Sequence, residues 1–395
     1  MTSELTPFRV DIPQTDLDDL RTRLANTRWP DQPADTGWRL GAPVDYVREL
    51  AEYWRTGFDW RAQEARINGF PQATTVIDGT QVHFLHVVSP EPAAPPVLLT
   101  HGWPGSIVEF LDVIGPLTDP RAYGGDPADA LTVVAPSIPG YGFSGPTSSP
   151  DWDPARIARA FAELMTRLGY PRFGAHGSDW GATISRSLAT QFPERVRGIH
   201  VTMLASAVAR SEADLEGLAG DELEKGKRSL AKGTKFSREG TAYAMLQATK
   251  PQTLAYGLHD SPAGQLAWIA EKFRSFSHAT EDLIDRDDLL ADVSIYWFTE
   301  TANSSARLYA AGGWGAPAPE NTVPTGVAVF PDDIGYPVRT LAERTDKIVH
   351  WTEFARGGHF PGLEEPDALI SDIRAFFRSL RRGGRSQNTP ALGGF

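Results

Sequence analysis

The apolar positions of this chain change their period along its length. In the first 75 residues they recur at helical spacing. Leu17, Leu20 and Leu24 share one face of a run behind Thr15, which reads as its N-cap. Pro43 opens a second run, with Tyr46, Val47, Leu50, Tyr53 and Trp54 on one side. Trp29-Pro30 and Gly57-Phe58-Asp59-Trp60 read as irregular connections. Helices with aromatic faces and no strands of their own must pack on something. Residues 1–75 are therefore expected to form an extension clasped onto the main domain.

Near residue 75 the period becomes two. Residues 75–77 and 80–87 alternate around Asp78-Gly79, a hairpin signal. A proline-rich link then leads to Val97-Leu98-Leu99-Thr100, apolar throughout, as a strand buried on both faces requires. Residues 131–135 repeat that pattern. Asp153-Pro154 starts a helix with Ile157, Phe161, Leu164 and Leu168 on one face, closed by Gly169. Residues 172–176 and 199–203 are further strands. Strands alternating with helices predict an α/β sheet, doubly wound or related. From 205 to 300 the strand signals vanish, and helical spacing runs through 242–247, 265–273 and 289–298. That stretch is expected to be a cap inserted over the strand ends. Strands resume at 326–330 and 347–351, and a last helix runs from about Pro366 through Phe377. The expected division is an extension (1–75), a core in two parts (76–204 and 301–382), a helical cap (205–300) and a flexible tail (383–395) rich in Gly, Ser, Asn and Pro.

Charge and composition narrow the function. Of 395 residues, 38 are basic and 50 acidic, a net charge of −12, which argues against nucleic acid or an anionic membrane as the main partner. The absence of cysteine removes a disulfide framework, a thiolate metal site and a cysteine nucleophile. The first residues lack the charged start and apolar run of a signal peptide, and no apolar segment reaches membrane-spanning length. A soluble cytoplasmic protein is expected. The eleven tryptophans would suit deep apolar pockets.

The chemistry centres on Gly177-Ser178-Asp179-Trp180-Gly181, between a strand and a helix. Such a turn presents a nucleophile from a strained backbone, and flanking glycines let strand and helix come close. A pattern centred on Ser178 would need glycines at 176 and 180, which are His176 and Trp180. Centred on Asp179 it closes, so the candidate nucleophile is a carboxylate. Taken alone the pentapeptide would equally suit an ordinary glycine loop. Two further loops follow strands: Phe330-Pro331-Asp332-Asp333 and Arg356-Gly357-Gly358-His359-Phe360. Nucleophile, acid, histidine is the chain order of the α/β-hydrolase fold. His359, oriented by a carboxylate, would take a proton from water to break a covalent ester; Asp332 and Asp333 both fit the acid. In His101-Gly102-Trp103-Pro104 the backbone N–H of Trp103, with that of Trp180, would form an oxyanion hole. With an aspartate nucleophile the enzyme supplies the carbonyl. The substrate then supplies an sp³ carbon bearing a leaving group, such as an epoxide oxygen or a halide. Alkyl transfer followed by hydrolysis is expected.

These motifs, together with Gly140-Tyr141-Gly142-Phe143-Ser144, resemble the epoxide hydrolases of the α/β-hydrolase superfamily, in the microsomal-type branch with its N-terminal extension. The resemblance covers nearly the whole chain and implies an α/β-hydrolase fold with a helical cap. That branch often carries a membrane anchor before the extension; this chain shows none and is similar to the soluble, bacterial members. The resemblance implies conversion of an apolar epoxide and water to a vicinal diol through an ester on Asp179, with no metal or cofactor. It implies Asp333, 26 residues before His359, as the acid, with Asp332 the alternative. It also implies that two cap tyrosines, Tyr243 and Tyr309, hold and protonate the epoxide oxygen. Spacing alone reads either one as helix packing. Tyr256 and Tyr296 match neither position and read as structural. A haloalkane dehalogenase would share the aspartate, the histidine and Trp180 but use halide donors in place of phenols. A non-catalytic binding protein on the same fold would not need all five positions filled. The natural epoxide, its enantiopreference and the oligomeric state, a homo-oligomer included, stay open.

Overall fold

The computed structural model describes residues 4–277, 284–312 and 319–386. Its strands are β1 (Thr6–Pro7), β2 (Gln72–Ile77), β3 (Thr80–Val87), β4 (Pro96–Thr100), β5 (Thr132–Pro136), β6 (Phe173–Gly177), β7 (Val196–Val201), β8 (Asn321–Val329) and β9 (Asp346–Glu353). Its first helices are α1 (Gln14–Ala25), α2 (Val44–Thr56), α3 (Trp60–Asn68), α4 (Leu111–Thr118), α5 (Pro154–Arg167) and α6 (Asp179–Gln191). A run of six follows: α7 (Gly220–Glu239), α8 (Ala242–Thr249), α9 (Pro251–Asp260), α10 (Pro262–Phe276), α11 (Arg286–Phe298) and α12 (Ala302–Ala311). The chain ends in α13 (Arg339–Ala342), α14 (Pro361–Glu364) and α15 (Pro366–Ser386).

Among the described residues the strands form one sheet, in the order β1-β2-β3-β5-β4-β6-β7-β8-β9. The β2–β3 hairpin turns at Asp78 and Gly79, both left-handed with φ of 50° and 73°, which suits a right-twisted ribbon. From β5 onward every pairing is parallel. Parallel strands carry helices on both faces, so Val97, Leu98, Leu99, Val133, Val134 and Ala135 are wholly buried. Chain order reverses at β4, between β5 and β6. The crevice beyond the ends of β4 and β6 is where such sheets place their ligands. On one side α5 covers the sheet. Its first turn is capped by the Asp153 side chain, which accepts from Arg156 N at 2.7 Å, and Ile157, Phe161 and Leu164 face inward.

Several details differ from expectation. Thr15 lies inside α1, which begins at Gln14 behind Pro13 without a side-chain cap; Leu17, Leu20 and Leu24 are nonetheless its buried face. Trp60 opens α3 instead of closing a loop, because the Asp59 carboxylate accepts from Ala62 N and starts a helix there. The helical run over the strand ends continues beyond residue 300 through α12. At the other end α15 continues to Ser386, past residue 382 where the core was expected to end; 387–395, most of the expected tail, lie outside the described residues.

The extension holds more than the core. β1 pairs with β2 at the sheet edge. The Trp54 indole N–H donates to Ser294 Oγ at 2.9 Å, and Tyr53 Oη donates to Asp287 Oδ1 at 2.7 Å, both on α11. Arg66 on α3 bridges Asp288 on α11 and Asp112 on α4, the latter at 2.9 Å. No described helix is long and apolar enough to cross a membrane.

Candidate active site

β6 ends at Gly177 and α6 begins at Asp179, with Ser178 between them in extended backbone. Asp179 has φ of 49°, a left-handed conformation costing a non-glycine residue about 1–2 kcal/mol. Its neighbours are glycines because nothing larger fits. A Cβ on Gly177 would lie 2.2 Å from the Gly181 carbonyl, and one on Gly181 would lie 1.9 Å from the Thr100 carbonyl oxygen. The loop after β4 presses on the same carboxylate, since a Cβ on Gly102 would lie 2.3 Å from Asp179 Cβ.

That loop is set by His101, buried and neutral. One ring nitrogen donates to the Gly102 carbonyl at 2.9 Å, and the other accepts from Ile138 N at 3.2 Å. Burial pushes its pKa down to about 4. The loop aims the Trp103 backbone N–H at Asp179 Oδ1, 2.9 Å away. The second expected donor, the Trp180 N–H, sits in the first turn of α6, where a helix has no carbonyl of its own to offer it.

The other carboxylate oxygen faces the histidine: His359 Nε2 is 3.4 Å from Asp179 Oδ2. The opposite nitrogen, Nδ1, is 2.6 Å from Asp333 Oδ1, which also accepts from Ile334 N at 2.7 Å. Of the two adjacent acids, the one on His359 is therefore Asp333. Burial works to lower the His359 pKa, but the Asp333 and Asp179 carboxylates outweigh it and hold the imidazole well above its ordinary value. Phe276 meets the ring edge-on at 5.3 Å, and the His359 N–H bonds the Phe276 carbonyl.

Tyr243 on α8 and Tyr309 on α12 come together above this group. Their ring centroids are 5.9 Å apart, edge to face. Tyr243 stacks on Trp103 at 5.0 Å, and Tyr309 stands edge-on to Trp180 at 5.0 Å. Burial, followed by neighbouring anionic groups, raises both phenol pKa values, so both stay neutral donors at ordinary pH. Tyr256 is exposed, and Tyr296 donates from Oη to the Gly105 carbonyl at 2.9 Å, steadying the loop after β4. Between Trp103 and the overlying helices runs a small cavity lined by Leu258, Trp268, Ile269 and Tyr296, with Gln247 and Gln265 its polar members.

One buried acid of the site has no counterpart in the expectations. Glu109 accepts from Ser178 Oγ at 3.3 Å. Its position in Ser106-x-x-Glu109 reads as a helix cap, which hides an inward-facing side chain; an acid inside the apolar run 107–111 was the available signal. Elsewhere, His200, His350 and Asp372 form a cluster of metal-ligand type. Asp372 is 2.9 Å from His200 Nε2 and 2.7 Å from His350 Nε2, and Thr352 donates to it at 2.6 Å. Ligands about 2 Å from a tetrahedral ion lie more than about 3 Å apart, so this spacing suits shared protons.

Residues 5–110 match the family described as epoxide hydrolase N terminus, and residues 95–269 match the α/β-hydrolase fold family. The chain is 43% identical over 382 residues to a candidate epoxide hydrolase of Stigmatella aurantiaca, covering 95% of this chain and 86% of that one. It is 34% identical over 408 residues to epoxide hydrolase 1 of Sus scrofa, covering 96% and 89%. Among solved structures, Aspergillus niger epoxide hydrolase superimposes with a TM-score of 0.85 at 32% identity, covering 96% and 97% of the two chains.

Proposed function

The chain belongs to the epoxide hydrolase family of the α/β-hydrolase fold, and we propose that Asp179, His359, Asp333, Tyr243 and Tyr309 carry that family's reaction in two steps. In the first, an Asp179 oxygen attacks an epoxide carbon. The ring C–O bond breaks, and its electron pair goes to the oxygen, which takes a proton from the paired phenols. Phenols kept neutral by burial suit this role, since they donate without bringing a charge to the site. In the second, His359 sheds its resting proton to solvent once the Asp179 charge that supported it is gone, Nε2 then takes a proton from water, and hydroxide adds to the Asp179 ester carbonyl. The N–H groups of Trp103 and Trp180 hold the oxyanion. Collapse breaks the acyl C–O bond, His359 returns its proton to the departing oxygen, and the proton left on Asp179 restores the phenol. The products are a vicinal diol and free enzyme, by a route that draws on neither metal nor cofactor.

The single observation that carries this assignment is the Asp179 carboxylate itself, with a peptide N–H on one oxygen, an imidazole on the other and two phenols overhead. An apolar epoxide is the substrate class, supported by the rings of Trp103, Trp180 and Phe276 packed around the tyrosines and His359. Residues 1–75 are taken as the extension and the helices from 205 through α12 as the cap, since α12 carries Tyr309; the cytoplasm is the compartment that the cysteine-free composition favours. The test is diol formation from styrene oxide, a trans-disubstituted aryl epoxide and a bromoalkane, with wild type beside Tyr309→Phe. Diol from an epoxide, weakened in the variant, is expected. Bromide release without diol would replace this assignment with dehalogenation.

A further inference from the structure

Glu109 is wedged among three pieces of the site. Its carboxylate takes the Ser178 hydroxyl, next to the nucleophile. A Cβ on Gly105 would fall 1.7 Å from its Oε1, and a Cβ on Gly362, three residues after His359, would fall 2.2 Å from its backbone oxygen. The charges of Asp179 and His359 both act on it. From the cap side Asp292 and Tyr296 on α11 face it, both of them buried and with raised pKa values. Resting on the two-step reaction above, we propose that Glu109 is a positioning residue for ester hydrolysis, supplying His359 with the anionic neighbour that Asp179 ceases to be once it is esterified.

The chemistry of the first step requires such a group. In the resting site two carboxylates, Asp179 and Asp333, support a proton on His359. Alkylation turns Asp179 into a neutral ester, and half of that support disappears just before His359 must take a proton from water. Glu109 responds in the opposite sense. Burial above all, and the Asp179 charge with it, push its carboxyl up to about 7, while the His359 charge pulls it down. Esterification removes the Asp179 contribution, and the charge that His359 gains from water then pulls Glu109 toward its carboxylate. That carboxylate stabilises the imidazolium as it forms, and its hydrogen bond to Ser178 holds it beside the nucleophile.

The measurement is single-turnover rapid quench with mass analysis of the denatured chain, which follows the ester on Asp179 as it forms and decays. In Glu109→Gln, ester formation is expected within about threefold of wild type, and ester decay slowed about ten- to a hundredfold, the equivalent of one to two pKa units of lost support. In wild type, decay is expected to slow as pH falls below about 7, through Glu109 and His359 together; the variant keeps the limb of His359 but stays slower than wild type on the plateau above it. Equal decay rates in the two proteins, or equal slowing of both steps, would overturn the proposal. A wild-type chain that turns over epoxide with no ester at all would instead overturn the two-step reaction. If Glu109→Gln does not fold, Ser178→Ala, which removes the hydroxyl that Glu109 accepts from, takes its place: slowed decay with ester formation kept supports the role, and two unchanged rates refute it.

Discussion

Replacing Asp333 by asparagine should separate the two half-reactions. The substitution keeps the shape of the side chain 2.6 Å from His359 Nδ1 and removes its charge. Two unit charges about 4 Å apart interact by about 4 kcal/mol at an effective dielectric near 20. An amide that still hydrogen-bonds recovers part of this, leaving a loss of about 3 kcal/mol for the imidazolium, or about 100-fold in rate. The amide can also offer its NH2 to Nδ1 and so select the tautomer with the proton on Nε2, which cannot act as base; in serine hydrolases that error costs about 10⁴-fold. Attack by Asp179 uses neither proton nor tautomer of His359. Ester formation should therefore stay within about threefold while ester decay falls at least about 100-fold. In steady state kcat and KM should fall together and kcat/KM should hold, with esterified chain accumulating. A variant whose kcat/KM fell as far as its kcat, with no ester on the chain, would refute this role for Asp333.

Three further predictions concern other parts of the molecule. Tyr243→Phe and Tyr309→Phe should each slow ester formation about 10- to 100-fold and leave ester decay nearly unchanged; slowed decay alone would remove the phenols from ring opening. Gly181→Ala should cost more than about 3 kcal/mol or abolish folding, since its Cβ would sit 1.9 Å from the Thr100 carbonyl oxygen, whereas Gly257→Ala on α9, with open space around it, should raise stability by up to about 1 kcal/mol; equal melting temperatures would refute the contrast. Burial depresses His83 to about 3 and His101 to about 4, below the ordinary 6.5 that each would regain on unfolding. Their contribution is complete above pH 6.5 and is lost as pH falls toward the folded values, at about 1.4 kcal/mol per unit each. His359, raised instead, works in reverse: its share is present below 6.5 and lost as pH rises through its folded value. Glu109 and Asp292, whose raised carboxyls gain stability as pH falls over the same range, oppose this loss, so the reading is the difference in melting temperature between wild type and His83→Gln: it should shrink from pH 7 to 5, and an unchanged difference would refute the linkage.

The sheet was legible because its strands announce themselves by burial on both faces, and the elbow because only glycine tolerates its contacts. Asp179 and His359 could be named from loops after strands. The choice between Asp332 and Asp333 could not come from spacing, since neighbouring residues point in different directions and one turn decides which meets His359. Tyr243 and Tyr309 sit on separate helices, and periodicity places each on a buried face without saying that the two faces meet. α3 was hidden by its own capping signal: Asp59 follows Gly57 as in a loop, and buried Glu64, which accepts from Ile12 N at 2.7 Å, breaks the apolar pattern. Glu109 was hidden for the same reason, as a charge inside an apolar run that reads most simply as a cap.

The division of labour between core and cap explains what the extension is for. The carboxylates and the imidazole are held by loops at strand ends, while the phenols arrive on α8 and α12, outside the sheet. Ring opening needs a phenol within hydrogen-bond reach of an oxygen whose carbon is already against Asp179, so a shift of about 1 Å between core and cap would cost rate before it cost stability. Arg66 ties α11 to α4, Trp54 and Tyr53 hold α11 from outside, and Tyr296 on the inner face of α11 holds the Gly105 carbonyl. The loop that delivers the Trp103 N–H is thereby connected, through one helix, to the segment farthest from it in function. In the proposed reaction residues 1–75 carry no reacting group, and their contacts to α11 would help to hold the distance on which the reacting groups depend.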